Sequence, residues 1–402
     1  MKRNILFVDD EQSVLDGFRT MMHLKRKEWK CHFAISGHDG LELLEKETFD
    51  VVIADMRMPG MDGADFLARV AKRQPGAIRM ILSGYSDMPS LLKSAKIAHQ
   101  FLSKPCSSDK IIKTIQQVID LKEILADDSI RSVVARLDAL PVVPDLFIQI
   151  CEELQATEPN LKLIAKMIER DVGISATLLK VVNSSFFGFY EHVSSPARAV
   201  TLLGTETVKG LVLGVNFLNK IDTSALPDYS VAKLWEHSLQ TGCFAKCIAS
   251  METDDKQFID DCFLAGILHD VGKLIFVTNM DEIYLPVLEC VRTNGGPIAL
   301  CENEKLGVGH AEVGAYLLGL WGFKTEVVEG VCGHHSPELF GSGLTTSLIV
   351  HAANTIQHDL GVRSSEYVYS PINEKYLDEI GLGKRLETWQ GVCKEKWSEH
   401  EE

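Results

Sequence analysis

The sequence has no surplus of positive charge: 41 Lys and Arg stand against 56 Asp and Glu, a formal charge of −15. Duplex binding needs clustered cations that displace counterions from phosphates, so this balance argues against a nucleic-acid partner. The local run Lys25-Arg26-Lys27 reads as a solvated helix end. Long apolar runs are lacking as well. Met1-Lys-Arg-Asn4 leads into only four apolar residues before Asp9, which provides neither a signal peptide nor a membrane span. The expectation is a cytoplasmic protein with no membrane contact. No Cys-x-x-Cys pair occurs among ten cysteines, and the closest two are Cys243 and Cys247. In a reducing compartment such scattered thiols read as small buried hydrophobes rather than disulfides or a zinc site. Internal repeats and low-complexity runs are absent too, which excludes a solenoid.

What is present is ordinary for a globular chain, 46% hydrophobic and 24% charged over 402 residues, enough for two or three domains with real cores. Up to about residue 120, short apolar runs alternate with amphipathic stretches. Asn4 to Val8, His32 to Ile35, Val51 to Ala54, Arg79 to Leu82 and His99 to Leu102 read as five strands, each too short for a helix. This βα alternation implies a doubly wound α/β domain with a five-stranded parallel sheet covered on both faces. After Val118 the strand signals stop. Ile130, Val133, Val134, Leu137 and Leu140 mark a helix face closed by Pro141 and Pro144, and further stripes follow at Ile164 and Ile168, at Ile174, Leu178 and Val181, and from Leu234 to Ile248. The second half is therefore expected to be all-α. The division is 1–123 for the α/β domain, 124–140 for a helical connector, 141–365 for the helical domain, and 366–402 for a charged helical tail that frays.

Ligands of an open parallel sheet collect at the carboxyl ends of its strands. Here Asp9-Asp10 follows the first strand, Asp55 the third, Ser83 the fourth and Lys104 the fifth. Asp-Asp occurs four times in the chain, so the pair signals something only because of its place at a strand end. Three converging carboxylates repel one another unless a hard divalent cation holds them, and Mg²⁺ favours such an oxygen shell. A carboxylate beside that cation can attack a phosphoryl group in line, with a lysine neutralising the transferred oxygens. Asp55 is the expected nucleophile, Asp10 the main side-chain metal ligand with Asp9 assisting, and Lys104 the phosphoryl grip.

The strings Leu6-Phe-Val-Asp9-Asp10-Glu11, Ala54-Asp55-Met-Arg-Met-Pro59-Gly60-Met-Asp62-Gly63, Leu82-Ser83-Gly84-Tyr85 and Phe101-Leu-Ser-Lys104-Pro105 resemble the receiver domain of two-component signalling, over about the first 120 residues. The resemblance implies the strand order 2-1-3-4-5 and phosphorylation of Asp55 by a sensor histidine kinase. It also implies that the backbone of Arg57 completes the Mg²⁺ shell and that Lys104-Pro105 is a cis peptide. Ser83 and Phe101 would be the switch pair, with Phe101 standing where many relatives carry tyrosine. The responding face would lie around 88–118.

In the second half, Phe263-Leu-Ala-Gly-Ile-Leu-His269-Asp270-Val-Gly272-Lys273 places a His-Asp pair at the end of an apolar helix. The dipeptide also occurs at His38 and His358, where nothing around it suggests a site. Adjacent His and Asp with a nearby lysine can hold one cation. The string resembles the HD superfamily of metal-dependent phosphohydrolases. By that resemblance His237, His269 and Asp270 are metal ligands, and His310, His334 and His335 match the additional histidines of relatives with a second metal. Such a cation would be iron, manganese or zinc. The sequence departs from the pattern at Asn354, where a final Asp is expected, and at Lys233, where bimetal relatives carry Glu; the Gly-Tyr-Pro signature of the cyclic-dinucleotide branch is missing.

Leu140-Pro-Val-Val-Pro144, Ile168-Glu-Arg-Asp171, Leu178-Leu-Lys-Val-Val-Asn183-Ser184-Ser-Phe-Phe-Gly188, Ser195-Pro-Ala-Arg-Ala-Val200 and Gly333-His-His-Ser-Pro337 resemble the HDOD family, over roughly 130–360. That family is HD-related, with eroded metal ligands. Two readings follow. In the first, phosphorylation controls a non-catalytic output that binds a protein partner, the chain dimerising or its receiver docking on the output. In the second, the receiver gates a phosphohydrolase acting on a nucleotide or cyclic dinucleotide. Scaffolding without a phospho-switch is a weaker third. The run Asn183-Ser184-Ser185-Phe186-Phe187 reads as a helix cap with seated aromatics.

Overall fold

A computed structural model describes residues 2–74, 76–83, 98, 100–104, 109, 111–116, 119, 146–147, 149–150, 153, 160–183, 192–220, 230–279, 281–294, 296–361 and 371–401. The chain divides into two compact units, one of Met1–Asp145 with Gly319–Gly322 and the other of Leu146–Leu318 with Phe323–Glu402.

The first unit holds β1 (Arg3–Val8), α1 (Gln12–Met22), β2 (Trp29–Ala34), α2 (Gly37–Lys46), β3 (Val51–Asp55), α3 (Gly63–Arg73), β4 (Ile78–Ser83) and β5 (Gln100–Ser103). All pairings are parallel, in the order β2-β1-β3-β4-β5. Alternation along β1 separates the two faces. Phe7 stacks on Phe18 of α1 with ring centroids 4.9 Å apart. Leu6 and Val8 point the other way, into a core with Leu41 of α2 and Phe66 of α3. Polar side chains start the helices on that face: Ser36 Oγ accepts the Asp39 N–H at 3.1 Å and Asp62 Oδ1 the Asp65 N–H at 2.7 Å. The second strand begins at Trp29, earlier than its apolar run suggested, because Trp29 buries against the core while Ile35 stays 42% exposed.

The second unit is helical throughout its described residues: α4 (Leu161–Glu169), α5 (Val172–Val182), α6 (Pro196–Leu203), α7 (Thr205–Lys220), α8 (Val231–Glu252), α9 (Lys256–Leu268), α10 (Val271–Asn279), α11 (Asp281–Asn294), α12 (Ile298–Leu306), α13 (His310–Leu320), α14 (Thr325–Cys332), α15 (Thr346–Leu360), α16 (Glu374–Glu379) and α17 (Leu386–Glu401). Several motif residues act as local stops. Asp171 caps α5 by accepting the Ile174 N–H at 3.0 Å. Asn183 closes that helix and clasps Val193, whose N–H and C=O it meets at 2.7 Å each. Pro196 opens α6 after Ser195. Residues 184–190, the 124–140 connector and the Leu140 to Pro144 string lie outside the described residues.

Two expectations need correction. Cys290 and Cys301 form a disulfide that joins α11 to α12, with Cα atoms 5.9 Å apart. Their spacing matched no metal or redox motif; packing of two consecutive helices brings them together. Cys243, Cys262 and Cys393 behave as expected, as buried free thiols. The charged tail is not frayed, since Trp389 and Cys393 are fully buried in a core with Phe244, Ile248 and Ile349. Trp389 Nε1 also donates to Glu252 Oε1 at 2.7 Å. The tail's charges cover the outer side of a helix whose apolar residues sit on α8 and α15.

Candidate functional site

The carboxyl end of the sheet carries an acid pair bridged by a lysine. Asp55, the last residue of β3, is 7% exposed, and Asp9, just after β1, is 1% exposed. Lys104 Nζ donates to Asp9 Oδ2 at 2.8 Å and also pairs with Asp55 Oδ1. Backbone donors fix the other oxygens: Glu11 N–H to Asp9 Oδ1 at 2.9 Å and Arg57 N–H to Asp55 Oδ2 at 2.8 Å. Burial raises the Asp55 pKa above its ordinary value, against the opposing pull of Lys104, and Asp9 adds to the rise. Burial also disfavours the Lys104 ammonium, but its bonds to Asp55 and Asp9 outweigh that and raise its pKa. Gly63 makes this end compact, since a Cβ there would lie 2.2 Å from the Asp55 carbonyl oxygen.

Asp10 is half-buried beside Asp9 and, among the described residues, forms no hydrogen bond or ion pair. Ser83 ends β4 opposite Ser103, and Phe101 lies in β5 opposite Ile81; their side chains, like Pro105 and most of 88–118, lie outside the described residues. Asp9, Asp10 and Asp55 offer carboxylate oxygens at this end of the sheet, a donor chemistry that suits Mg²⁺.

In the second unit, α8, α9, α13 and the turn after α14 bring histidines together. Each of four rings is anchored at Nδ1. His269 Nδ1 meets Gly266 O at 2.7 Å, His334 Nδ1 meets Val331 O at 2.7 Å, His310 Nδ1 meets Glu302 Oε2 at 2.6 Å, and His237 Nδ1 meets Gln357 Oε1 at 2.5 Å. All four partners accept, so each of these Nδ1 atoms carries a proton; the Nε2 lone pairs of His237, His269 and His334 turn inward, while His310 Nε2 faces the Asp270 carboxylate. There, His237 and His269 Nε2 atoms are 3.1 Å apart, His310 and His334 3.3 Å, and His335 and His310 3.0 Å.

Asp270 lies between these groups. Its Oδ1 is 3.1 Å from His310 Nε2, and its Oδ2 is 3.4 Å from His269 Nε2 and 2.7 Å from Lys273 Nζ. Burial works against its charge, yet His269, Lys273 and His310 around it hold the carboxyl well below the usual carboxylate range. Burial lowers the His269 pKa to about 3 and pushes His334 and His335 far down as well. His310 is the exception: burial disfavours its charge, but Glu302 and Asp270 outweigh burial and raise its pKa. Two ligand groups result, His237, His269 and Asp270, and His310, His334 and His335, the donor atoms of each within 4.8 Å of one another. Converging lone pairs beside a buried carboxylate are stabilised by a cation, so these residues fit a metal. Asn354 Oδ1 is buried beside His237 without a well-formed hydrogen bond. Lys233 is exposed in the first turn of α8 and lines nothing here.

The receiver family, described as the response regulator receiver domain, matches residues 5–116, and the HDOD domain family matches residues 140–337. The chain is a response regulator with an N-terminal receiver domain and a C-terminal HDOD domain. It is 27% identical over 205 residues to an uncharacterized protein of Treponema pallidum, covering 51% of this chain and 39% of that protein. Over 125 residues it is 30% identical to the hydrogenase transcriptional regulatory protein HoxA of Cupriavidus necator, covering 31% of this chain and 25% of HoxA. It thus spans about two fifths or less of these relatives. A solved HDOD domain protein of unknown function from Geobacter sulfurreducens shares the fold at 19% identity and a TM-score of 0.50, covering 67% of this chain and 97% of that one.

Receiver–HDOD architecture implies phosphorylation-regulated signalling. Among the described residues no helix is long and apolar enough to cross a membrane. The HDOD site also uses residues that sequence reading passed over. His358, dismissed with its incidental His-Asp pair, sits with its ring 4.5 Å from that of His237. Its spacing from Asn354, one helical turn on α15, was the available signal. Gln357, which anchors His237 and donates to Gln240 Oε1 at 2.8 Å, carried no such signal. Glu302 is fully buried and also accepts from Tyr284 Oη at 2.7 Å and the His310 N–H at 2.8 Å.

Proposed function

We propose that Asp55 accepts a phosphoryl group from a sensor histidine kinase and that this controls an HDOD output which acts by binding a protein partner. The observation that carries the reading is the Lys104 ammonium held between the carboxylates of Asp55 and Asp9 at the carboxyl end of the sheet. The Asp55 carboxylate attacks the phosphorus in line, the bond to the donor's imidazole nitrogen breaks, and an acyl-phosphate forms. Asp9, Asp10, Asp55 and the Arg57 carbonyl would hold Mg²⁺, which would supply charge neutralisation at the transferred oxygens. Lys104 moves its ion pair from the bare carboxylate to the new phosphoryl oxygens. Ser83, which ends β4, and Phe101, within the neighbouring β5, pass the change to the 88–118 face. A few kcal/mol of differential affinity suffices to reverse such a two-state balance.

The domain division proposed is 1–123 for the receiver, 124–140 for the connector, 141–365 for the output and 366–402 for a charged helical tail. Binding rather than hydrolysis is favoured at the output because Asn354 offers an amide where a carboxylate would hold a cation firmly, and Lys273 already pairs with Asp270 Oδ2.

The second reading, a metal-dependent phosphohydrolase on a nucleotide or cyclic dinucleotide, draws on the inward Nε2 atoms around Asp270 and a cation such as iron, manganese or zinc. The test has two parts. Acetyl phosphate with Mg²⁺ should label the wild-type chain and not Asp55→Asn; labelling of the variant would remove the receiver reading. Turnover in a Mn²⁺-supplemented nucleotide and cyclic-dinucleotide screen, lost in His269→Ala, would put the hydrolase first.

A further inference from the structure

The C-terminal segment from residue 371 lies beyond the HDOD match, which ends at 337, yet it reaches the histidine site through hydrogen bonds. The Asn373 N–H donates to His351 Nε2 at 3.2 Å. Since Nε2 accepts, the ring proton is on Nδ1, which donates to the His334 carbonyl at 2.8 Å. His351 is 3% exposed, so neither bond is shared freely with water. The same segment grips the following turn: Asn373 Nδ2 donates to Glu338 Oε2 at 3.4 Å and Tyr376 Oη to Gly341 O at 2.6 Å. Its far end is fastened to α8, where Arg385 Nε and Trp389 Nε1 donate to Glu252 Oε1 at 2.8 and 2.7 Å.

His334 and His335 lie in a short turn after α14, and a turn has little stiffness of its own. Its orientation depends on what holds its carbonyls, and ligand atoms displaced by about 1 Å bind poorly. The other ligand group is held differently, by α8, α9 and Gln357 of α15.

We propose that residues 371–401 form a strap that sets the geometry of the His310, His334 and His335 group, with His351 as the positioning residue that transmits its hold. The proposal rests on the reading that these histidines hold a cation. Loosening the strap then weakens one ligand group and spares the other.

The test uses the full chain stripped with chelator and titrated calorimetrically with Co²⁺, comparing wild type with His351→Phe, which keeps a ring but loses both bonds. A second variant, Asn373→Pro, removes the N–H at a position whose φ of −82° is near proline's own. Amide exchange is followed in parallel. Expected are one Co²⁺ class weakened roughly 10- to 100-fold with the other unchanged, and exchange about five- to tenfold faster at 333–338 alone. Unchanged binding and exchange would overturn the strap, as would equal weakening of both classes with faster exchange throughout α8 and α9. If wild type binds no Co²⁺, the cation reading fails by itself, and exchange alone decides: local acceleration supports the strap and its absence overturns it.

Discussion

At the scale of single residues, the histidine site is organised by what each ring does with its outer nitrogen. Backbone carbonyls anchor His269 and His334, but His310 depends on a side chain, Glu302, itself held by Tyr284. A carboxylate behind a histidine fixes its tautomer and makes it a better ligand. Glu302→Gln keeps size and one acceptor but removes the charge, and is expected to weaken cation binding at the His310 group by roughly 10- to 100-fold. Co²⁺ titration with a thermal melt as control checks this; an unchanged affinity would show that Glu302 only fills space.

At the scale of elements, close helix contacts place the ligands. Gly272, in the first turn of α10 just after His269-Asp270, sits where a Cβ would lie 2.0 Å from the His310 carbonyl oxygen, which explains a glycine at that point of the string. The last helix, α17, contributes more than its charged composition suggests. Its Trp389 is fully buried and bonded to Glu252. Trp389→Ala is expected to destabilise the HDOD unit by about 3–5 kcal/mol, as for other large aromatics truncated in cores. Urea unfolding followed by circular dichroism measures it, and a loss under about 1 kcal/mol would mean that α17 is not part of this core.

At the scale of the whole molecule, buried neutral histidines couple the HDOD unit to pH. Burial lowers His269 to about 3 and His358 to about 2, and depresses His237, His334, His335 and His351 as well. A folded pKa below the unfolded value of about 6.5 means the unfolded chain binds more protons in between. Their contribution is fully present above about pH 6.5 and is lost as pH falls toward the folded values. His310, raised by Glu302 and Asp270, acts in the opposite sense, one ring against six. In chelator, the midpoint of thermal unfolding should therefore drop between pH 7.5 and pH 5; an unchanged or higher midpoint would contradict the neutral assignments.

By itself the sequence determined the α/β first half, the helical second half and the local strings that supply most residues of the two sites. Strand runs, caps such as Asp171 and strings such as His269-Asp270-Val-Gly272-Lys273 are local signals, set by neighbours a few residues away. Tertiary structure alone decided what depends on distant residues. It chose Asp9 over Asp10 for Lys104, joined Cys290 to Cys301, brought His358 and Glu302 to the histidines, and folded a charged tail onto α8. Apart from the one-turn spacing of His358 from Asn354, none of these leaves a periodic or motif signal, because each depends on which helix faces meet, and burial is a property of those meetings rather than of the residues singly.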